Sequence, residues 1–254
     1  MTLPVSGVKL AINWHKEDNN MKRIIALVIT LILSCSAVSA LAAGNIQATD
    51  DTASYVLSHS DGYRVYYYAV VTNNGDKRAT VNDLLFEIRD RDDITFESTS
   101  KYSLYPEILE PGQSGWLVIT KDCKDVDDKG VIDHFNLTVV TKAADDDEEI
   151  RALTASAEYV AKDEDDNEDV LRATVTNSGD ENAFKITVAM AARDAEGKLL
   201  YVVGDGTRDI GLAAGNTLIL RSLIRSDIMD AIEDAGAEVA ATEAMAYRVV
   251  DTDD

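Results

Sequence analysis

The amino-acid sequence repeats itself at an offset of 104 residues. Residues 69–76, Ala-Val-Val-Thr-Asn-Asn-Gly-Asp, fall on residues 173–180, Ala-Thr-Val-Thr-Asn-Ser-Gly-Asp. The remaining matches are Tyr55-Val56 with Tyr159-Val160, Ala79 with Ala183, Arg89-Asp90 with Arg193-Asp194 and, one residue out of step, Leu109-Glu110-Pro111-Gly112 with Leu212-Ala213-Ala214-Gly215. A shared offset over this many positions predicts two tandem copies of one domain.

Apolar side chains alternate with a period of two inside each copy. The alternating sets are Tyr67, Ala69, Val71, then Leu84, Phe86, Ile88 in the first copy, and Leu171, Ala173, Val175, then Val188, Met190, Ala192 in the second. This period is typical of strands with one face on a core. A slip of one residue would expose the whole apolar set, so the pattern also specifies the register.

Turn residues and further apolar runs complete each copy. We expect Asn74-Gly75, Ser178-Gly179 and Glu196-Gly197 to supply the positive φ of tight hairpin turns. Further strands are predicted at residues 94–98, 115–120 and 131–141, and at 198–203, 217–223 and 238–250. Six or seven short strands in roughly 100 residues predict an immunoglobulin-like antiparallel β-sandwich for each copy, hence an all-β fold.

Helix is scarce in this sequence. One helix is predicted from Asp227 to Ala235, with Ser226 as its N-cap and Gly236 ending it. The equivalent stretch of the first copy, residues 122–130, reads as a polar loop.

The domain boundaries follow from the repeat and from one run of charge. Residues 45–142 form the first module and residues 150–254 the second, separated by an acidic linker at residues 143–149. Such a linker is expected to leave the modules some relative motion.

The N-terminal region has the features of an export signal. Residues 21–42 read as a signal peptide, with Lys22 and Arg23 before an apolar run and Ala40-Leu41-Ala42 as the cleavage motif. Residues 1–20 then form a non-native or disordered leader. Two alternatives are a lipoprotein, with lipid on Cys35, and an uncleaved signal helix that anchors the chain in the membrane. Each alternative places the modules outside the cytoplasm, secreted or at the cell surface.

Short motifs in the first copy resemble a known family. Phe86-Glu87-Ile88-Arg89-Asp90 follows the Asn-x-Gly turn and precedes Leu109-Glu110-Pro111-Gly112, an order similar to that of the FxLYD family of bacterial export-associated β-sandwich domains. The second copy keeps the spacing at residues 190–194 but lacks the aromatic residue, and residues 212–215 lack the proline. The resemblance implies a secreted or cell-surface module and transfers no catalytic residues.

Charge and composition narrow the function classes. The formal net charge of −22 repels phosphate backbones and anionic lipid headgroups, which argues against nucleic-acid partners and leaves membrane contact to the signal segment or a lipid anchor. The sequence contains no Gly-x-Ser-x-Gly elbow, no His-Glu-x-x-His and no phosphate-binding glycine loop. Cys123 is the single cysteine after the signal segment. We therefore expect a non-enzymatic module without a cofactor.

Two kinds of candidate binding site remain. Tyr66 and Tyr68 share the strand face opposite Tyr67 and, with Tyr63, predict a contact surface for a protein or glycan. Packing of these rings under a loop or against the second copy is the alternative.

The other candidate is a weak calcium site. Asp125, Asp127 and Asp133 take positions 1, 3 and 9 of a calcium loop with Gly130 at position 6, although Lys129 and Asn136 occupy positions that should supply oxygen. The acidic residues 163–169 form a second candidate loop. The sequence thus favours a secreted or envelope binding module of unknown ligand, with a calcium-binding acidic protein as the alternative function.

Overall fold

The computed structural model describes residues 44–145, 147–162, 168–207 and 210–251. The predicted leader, the signal peptide and Cys35 lie outside these residues. Within the described ranges, no helix has the length and apolar character needed to cross a membrane.

The described chain is an all-β fold with one short α-helix, as the sequence predicts. The first module contains seven strands: β1 (Ile46–His59), β2 (Gly62–Asn73), β3 (Ala79–Arg89), β4 (Thr95–Thr99), β5 (Ser103–Tyr105), β6 (Ser114–Lys124) and β7 (His134–Ala143). A single 3-10 turn, Lys129–Val131, lies where the polar loop was predicted. All strand pairs in this module are antiparallel.

The second module contains the remaining strands and the helix: β8 (Glu148–Val160), β9 (Val170–Thr176), β10 (Thr187–Arg193), β11 (Leu199–Gly206), β12 (Thr217–Leu223), α1 (Ser226–Asp234) and β13 (Ala241–Asp251). Strand β8 begins inside the acidic segment that was predicted as a linker. Only residues 144–147 therefore separate β7 from β8.

The first module is a two-sheet sandwich. Its sheets have the strand orders β1-β2-β6-β5 and β4-β3-β7. These orders match the A-B-E-D and C′-C-F strands of an immunoglobulin-type sandwich.

The second module joins its two sheets through one strand. Its order is β11-β10-β13-β8-β9-β12. Strand β8 pairs with β13 up to Leu153 and with β9 from Thr154 onward, so it passes from one sheet to the other.

The alternating residues form the core of each module, as predicted. In the first module, Tyr67, Phe86 and Phe135 form an aromatic cluster with ring centroids 4.9 Å (Tyr67–Phe86) and 5.4 Å (Phe86–Phe135) apart. In the second, Leu171 and Met190 are fully buried at the places equivalent to Tyr67 and Phe86. Within the described ranges, each sheet contains strands of one module only.

A buried asparagine organises the same turn in both modules. Asn73 Nδ2 donates to the carbonyl oxygens of Lys77 (2.8 Å) and Leu109 (2.9 Å). Asn177 Nδ2 donates to those of Glu181 (2.7 Å) and Leu212 (2.9 Å). This shared network ties the end of each second strand to the Leu-x-x-Gly segment.

The predicted glycine turns are only partly correct. Gly197 has φ 82° in the β10–β11 hairpin, whereas Gly75 and Gly179 do not have positive φ. The turns at Gly75 and Gly179 connect strands of different sheets, and their geometry is set by the asparagine: the Gly75 amide donates to Asn73 Oδ1 (3.0 Å) and the Gly179 amide to Asn177 Oδ1 (3.2 Å).

The helix is correct in place, but its predicted N-cap is wrong. Arg225 occupies the N-cap position, Ser226 is the first helical residue, and no side chain caps the helix. Gly236, with φ 75°, lies just beyond the last turn, where the left-handed conformation favours glycine. Ile228, Met229 and Ile232 are buried in an apolar cluster that contains residues of both modules, and the helix lies near β1 of the first module.

Candidate functional site

The predicted tyrosine surface is not exposed. Tyr66 is 8% exposed and Tyr68 is 2% exposed, and both belong to the apolar cluster that contains the core of the second module. The prediction of an exposed contact surface at Tyr66 and Tyr68 is therefore wrong, because the second module covers that face. Strand β2 has both faces covered, and this is why its sequence is apolar without interruption from Val65 to Val71.

The covered face of the first module packs against β11, an edge strand of the second. The rings of Tyr68 and Tyr201 meet edge to face, with centroids 5.4 Å apart. The Tyr55 hydroxyl donates a hydrogen bond to the carbonyl oxygen of Leu200 (2.8 Å). The contact therefore combines aromatic packing with a bond to the backbone of an edge strand.

A carboxylate of the first module completes this contact. Asp51 Oδ1 accepts a hydrogen bond from the Leu199 amide (2.8 Å), and Asp51 Oδ2 lies 2.6 Å from Arg193 Nη1. An edge strand otherwise leaves backbone N–H and C=O groups without partners. Asp51 and Tyr55 supply those partners, so the polar contacts recognise the backbone of β11 and not only its side chains.

A glycine makes room for one further aromatic ring. Tyr105, on the edge strand β5, lies against Gly204 so closely that a Cβ atom on residue 204 would be 2.1 Å from Tyr105 Cζ. Trp116, opposite Tyr105 in the β5–β6 pair, is 5% exposed in the same cluster. Gly204 is thus a specific requirement of the contact between modules.

Burial between the modules changes the pKa values of the interface tyrosines. Burial raises the pKa of Tyr201 to about 12 and also raises the pKa of Tyr55 and Tyr68 well above the ordinary value. These hydroxyl groups are therefore neutral at physiological pH. At the rim, the Arg225 guanidinium carbon lies 5.7 Å from the centre of the Tyr66 ring, in range of a cation–π interaction.

Tyr63 lies apart from the other two tyrosines. It is half-buried against the core of the first module, at a shallow depression also lined by His59, Asp61, Asp122, Cys123 and Lys124. Burial raises the pKa of the Cys123 thiol to about 11, so the thiolate that a nucleophile needs is disfavoured. Tyr63 therefore does not extend a surface formed by Tyr66 and Tyr68.

In the first candidate calcium loop, the Asp133 carboxylate contacts neighbouring basic side chains. Asp133 Oδ2 lies 3.2 Å from His134 Nδ1, and Asp133 Oδ1 lies 3.6 Å from Arg91 Nε. Asp128, which the loop pattern did not use, accepts a hydrogen bond from the Gly130 amide (2.8 Å). Across the described ranges, no three acidic, histidine or cysteine side chains converge as metal ligands, Asp125, Asp127 and Asp133 included.

Most of the second acidic loop, residues 163–167, lies outside the described residues. Asp169 is 5% exposed and accepts hydrogen bonds from the Tyr159 hydroxyl (2.5 Å) and the Lys162 amide (3.2 Å). Asp169 therefore closes the base of the β8–β9 connection.

Among the described residues, the outer face of β8, β9 and β12 has no module packed on it. It carries a row of hydroxyl side chains, with Thr176 Oγ1 3.0 Å from Thr217 Oγ1, and an ion pair between Arg172 and Glu158 (2.5 Å). Ile219 (58% exposed) and Leu223 (51% exposed) lie on the same face of β12. This face is the counterpart of the one that the first module buries.

Comparison with known proteins gives little further guidance. No protein-family model and no curated protein sequence matches the chain significantly. Among solved structures, the N-terminal CBM22-1-CBM22-2 tandem domain of Xyn10C from Paenibacillus barcinonensis is 11% identical, with 84% of this chain and 98% of that chain covered and a TM-score of 0.18. A TM-score this low carries no argument about function.

Proposed function

We propose that the chain is a non-enzymatic module of the secretome or cell envelope in which the two sandwiches act as one rigid body. The observation that supports this proposal is the packing of the aromatic face of β1, β2, β5 and β6 on strand β11. Aromatic side chains contribute much of the binding energy of protein interfaces. Hydrogen bonds to the backbone of the edge strand β11 also fix the orientation of the two modules. A rigid pair holds surfaces of both modules at a fixed spacing, as a binding or spacer element requires.

Rigidity is tested by the distance between the modules. Spin labels on cysteines at Thr138 in the first module and Asp230 in the second are expected to give one narrow distance distribution. Gly204→Val is expected to broaden it, because the new side chain collides with Tyr105. Ser98→Val adds a similar side chain to an exposed position of the equivalent strand β4 and serves as the matched control.

Tryptophan fluorescence gives a second readout. Trp14 and Trp116 are the two tryptophans of the chain, so a protein that begins near Ala43 contains only Trp116. Gly204→Val should shift its emission to the red, as water reaches the interface. A broad distance distribution in the unaltered protein, with Trp116 already solvated, would contradict the proposal.

The ligand-binding surface in this proposal is the open face of β8, β9 and β12. The ligand class is a protein or glycan of the envelope, because hydroxyl groups exchange hydrogen bonds with either. Binding of the mature protein to a glycan array and to envelope extracts, compared with a Ser156→Lys, Thr174→Lys variant, tests this surface; equal binding by both proteins contradicts it.

Export and the FxLYD-like family belong to the same proposal. Mass spectrometry of the mature N-terminus separates cleavage near Ala43 from lipid on Cys35. Calcium binding by Asp125, Asp127 and Asp133 stays a prediction, tested by calorimetric titration; no heat and no rise in melting temperature at millimolar calcium would exclude it.

A further inference from the structure

The outer face of β8, β9 and β12 is ordered in rows that run across the three strands. The strand pairing fixes these rows, because residues that pair on neighbouring strands lie side by side on one face. Read from β8 through β9 to β12, the rows are Thr154, Thr176, Thr217, then Ser156, Thr174, Ile219, then Glu158, Arg172, Arg221. The face therefore changes from hydroxyl groups at one end to charged groups at the other.

Two aliphatic side chains stand out of this face on β12. Ile219 is 58% exposed and Leu223 is 51% exposed. They are four residues apart on one strand, which corresponds to about 13 Å at the usual rise per residue. Burial of apolar side chains is the main favourable term in most protein–protein association, so this pair suits contact with another protein.

The row between these aliphatic side chains carries guanidinium groups. Arg221 lies midway between Ile219 and Leu223 along β12. Arg172 of β9 pairs with Arg221 and is 41% exposed. Arg172 Nε donates to Glu158 Oε1 (2.5 Å), and a guanidinium group has further N–H donors on its terminal nitrogen atoms, in a geometry that fits a carboxylate. The row therefore suits an acidic group between two apolar ones.

The net charge of the chain does not prevent this contact. The charge of −22 comes from acidic residues distributed over both modules. At physiological salt the Debye length is about 8 Å, so charges farther away are largely screened. The guanidinium groups in direct contact with a bound group therefore decide which charge fits at this row.

The same rows favour a protein over a glycan as the partner. Sites for small ligands and sugars usually contain aromatic side chains, on whose flat faces a sugar ring can stack. None of the residues in the three rows is aromatic. Tyr159 of β8 pairs with Leu171 and faces the core, so it offers no ring to this face.

We propose that this face binds a protein through an extended segment with an acidic residue between two aliphatic residues, at every second position. The side chains on one side of an extended segment repeat every two residues, as those of β12 do. The three side chains of such a segment therefore match Ile219, the row of Arg172, and Leu223. This assignment rests on the proposed function, because it uses the same face as the ligand surface and adds the class of partner.

Selection from a library of displayed random peptides tests the pattern. The mature protein is expected to enrich peptides with the order aliphatic, any, acidic, any, aliphatic. In calorimetry with one enriched peptide, Ile219→Ser and Arg172→Gln are each expected to raise the dissociation constant roughly tenfold. Ile94→Ser alters an aliphatic side chain that is 59% exposed in the first module, and this matched control should leave the constant unchanged.

A change in the peptide identifies the acidic contact. Replacing its acidic residue by the corresponding amide should weaken binding to the unaltered protein but not to the Arg172→Gln variant, because the two changes remove the same ion pair. Enriched peptides that lack the pattern, or that bind the Ile219→Ser variant equally well, overturn the proposal.

The glycan array separates this proposal from the proposed function. Binding of neutral oligosaccharides that is lost in the Ser156→Lys, Thr174→Lys variant keeps the ligand surface and overturns a protein partner. If neither peptides nor oligosaccharides bind in a way that depends on this face, both the partner and the ligand surface are wrong.

Discussion

The two modules have cores of the same pattern, but they differ in the residues on the outer face of one homologous sheet. The outer face of β1, β2 and β6 carries Tyr68 beside Val118 and Val70 beside Trp116. The same places in the second module carry Arg172 beside Arg221 and Thr174 beside Ile219. The first face is buried between modules and the second lies open.

The strand on which the first module packs also differs between the modules, but here the apolar residues belong to the second module. Strand β11 presents the buried residues Leu199, Leu200 and Tyr201, whereas the equivalent strand β4 presents Thr95, Phe96 and Glu97, with Glu97 in an ion pair with Lys121 (2.7 Å). The comparison teaches that duplication preserved the residues that fold each module. The surfaces of the copies diverged into a complementary pair.

The largest effect is expected where the modules are the same. Asn73→Ala removes the hydrogen bonds to the carbonyls of Lys77 and Leu109 and the acceptor of the Asn45 and Gly75 amides, so we expect about 3 kcal/mol of destabilisation. The Leu109 carbonyl keeps the Ala79 amide as a donor. Asn177→Ala should cost a similar amount in the second module. Urea unfolding of both variants measures the effect; a cost in one module alone would show that the shared network is not equally important.

A smaller effect is expected where the modules differ. Tyr68→Ser removes a ring buried between modules and is expected to cost about 3 kcal/mol, with Trp116 emission shifted to the red. Arg172→Ser, at the equivalent open position, should change the free energy of unfolding by less than about 0.5 kcal/mol. Similar costs for both substitutions would contradict the difference in burial.

The polar part of the docking contact should contribute less than the rings. Asp51→Asn weakens the ion pair with Arg193 and keeps an acceptor for the Leu199 amide, so we expect about 1 kcal/mol of destabilisation. Asp50→Asn changes a neighbouring exposed carboxylate and is the control. Thermal unfolding followed by Trp116 fluorescence measures both.

The smallest effect is a difference in acid sensitivity. Hydrogen bonds from Asn136, Arg89 and Arg64 lower the pKa values of Glu87, Asp93 and Asp122 in the first module. Arg225 does the same for Asp227 in the second.

A carboxyl group with a lowered folded-state pKa adds stability above its unfolded-state pKa of about 4, and this stability is lost as the pH falls through the folded-state value. These groups are mostly exposed, so each contribution is small. Below about pH 4 the first module should lose slightly more stability than the second. Equal slopes of the two unfolding transitions against pH would contradict this.

The sequence was sufficient to predict the core residues of each module, because apolar residues at every second position indicate a strand with one face on a core. Phe86 and Met190 therefore fell at the correct places. The sequence was insufficient to predict the burial of the second face of β2, because the residue pattern of one strand does not show which element packs on it. The run from Val65 to Val71 was the available signal, since a strand open on one side would carry polar residues at every second position.

The repeat offset predicts the wrong equivalence for the first strand of each module. Tyr55 and Tyr159 match at the common offset, but Tyr55 pairs with Tyr66 and faces outward, whereas Tyr159 pairs with Leu171 and faces the core. Strand β1 has a register shift between Ala48 and Thr52. Between the pairs that Ala48 and Thr52 form, β1 has two more residues than β2, and beyond them its pairing is one residue out of step with that of β8 on β9. Such a displacement depends on backbone geometry that the residue types do not specify.

The docking of unlike surfaces limits the length of any array built from these modules. A third copy of the second module, added after residue 251, would meet a neighbour whose open face offers Arg172 and Thr174 in place of aromatic rings, and its own β11 would stay exposed to water. Growth by simple gene duplication would thus expose an apolar strand at each added unit. Lengthening would require a duplicated first module or new aromatic residues on the face of β9.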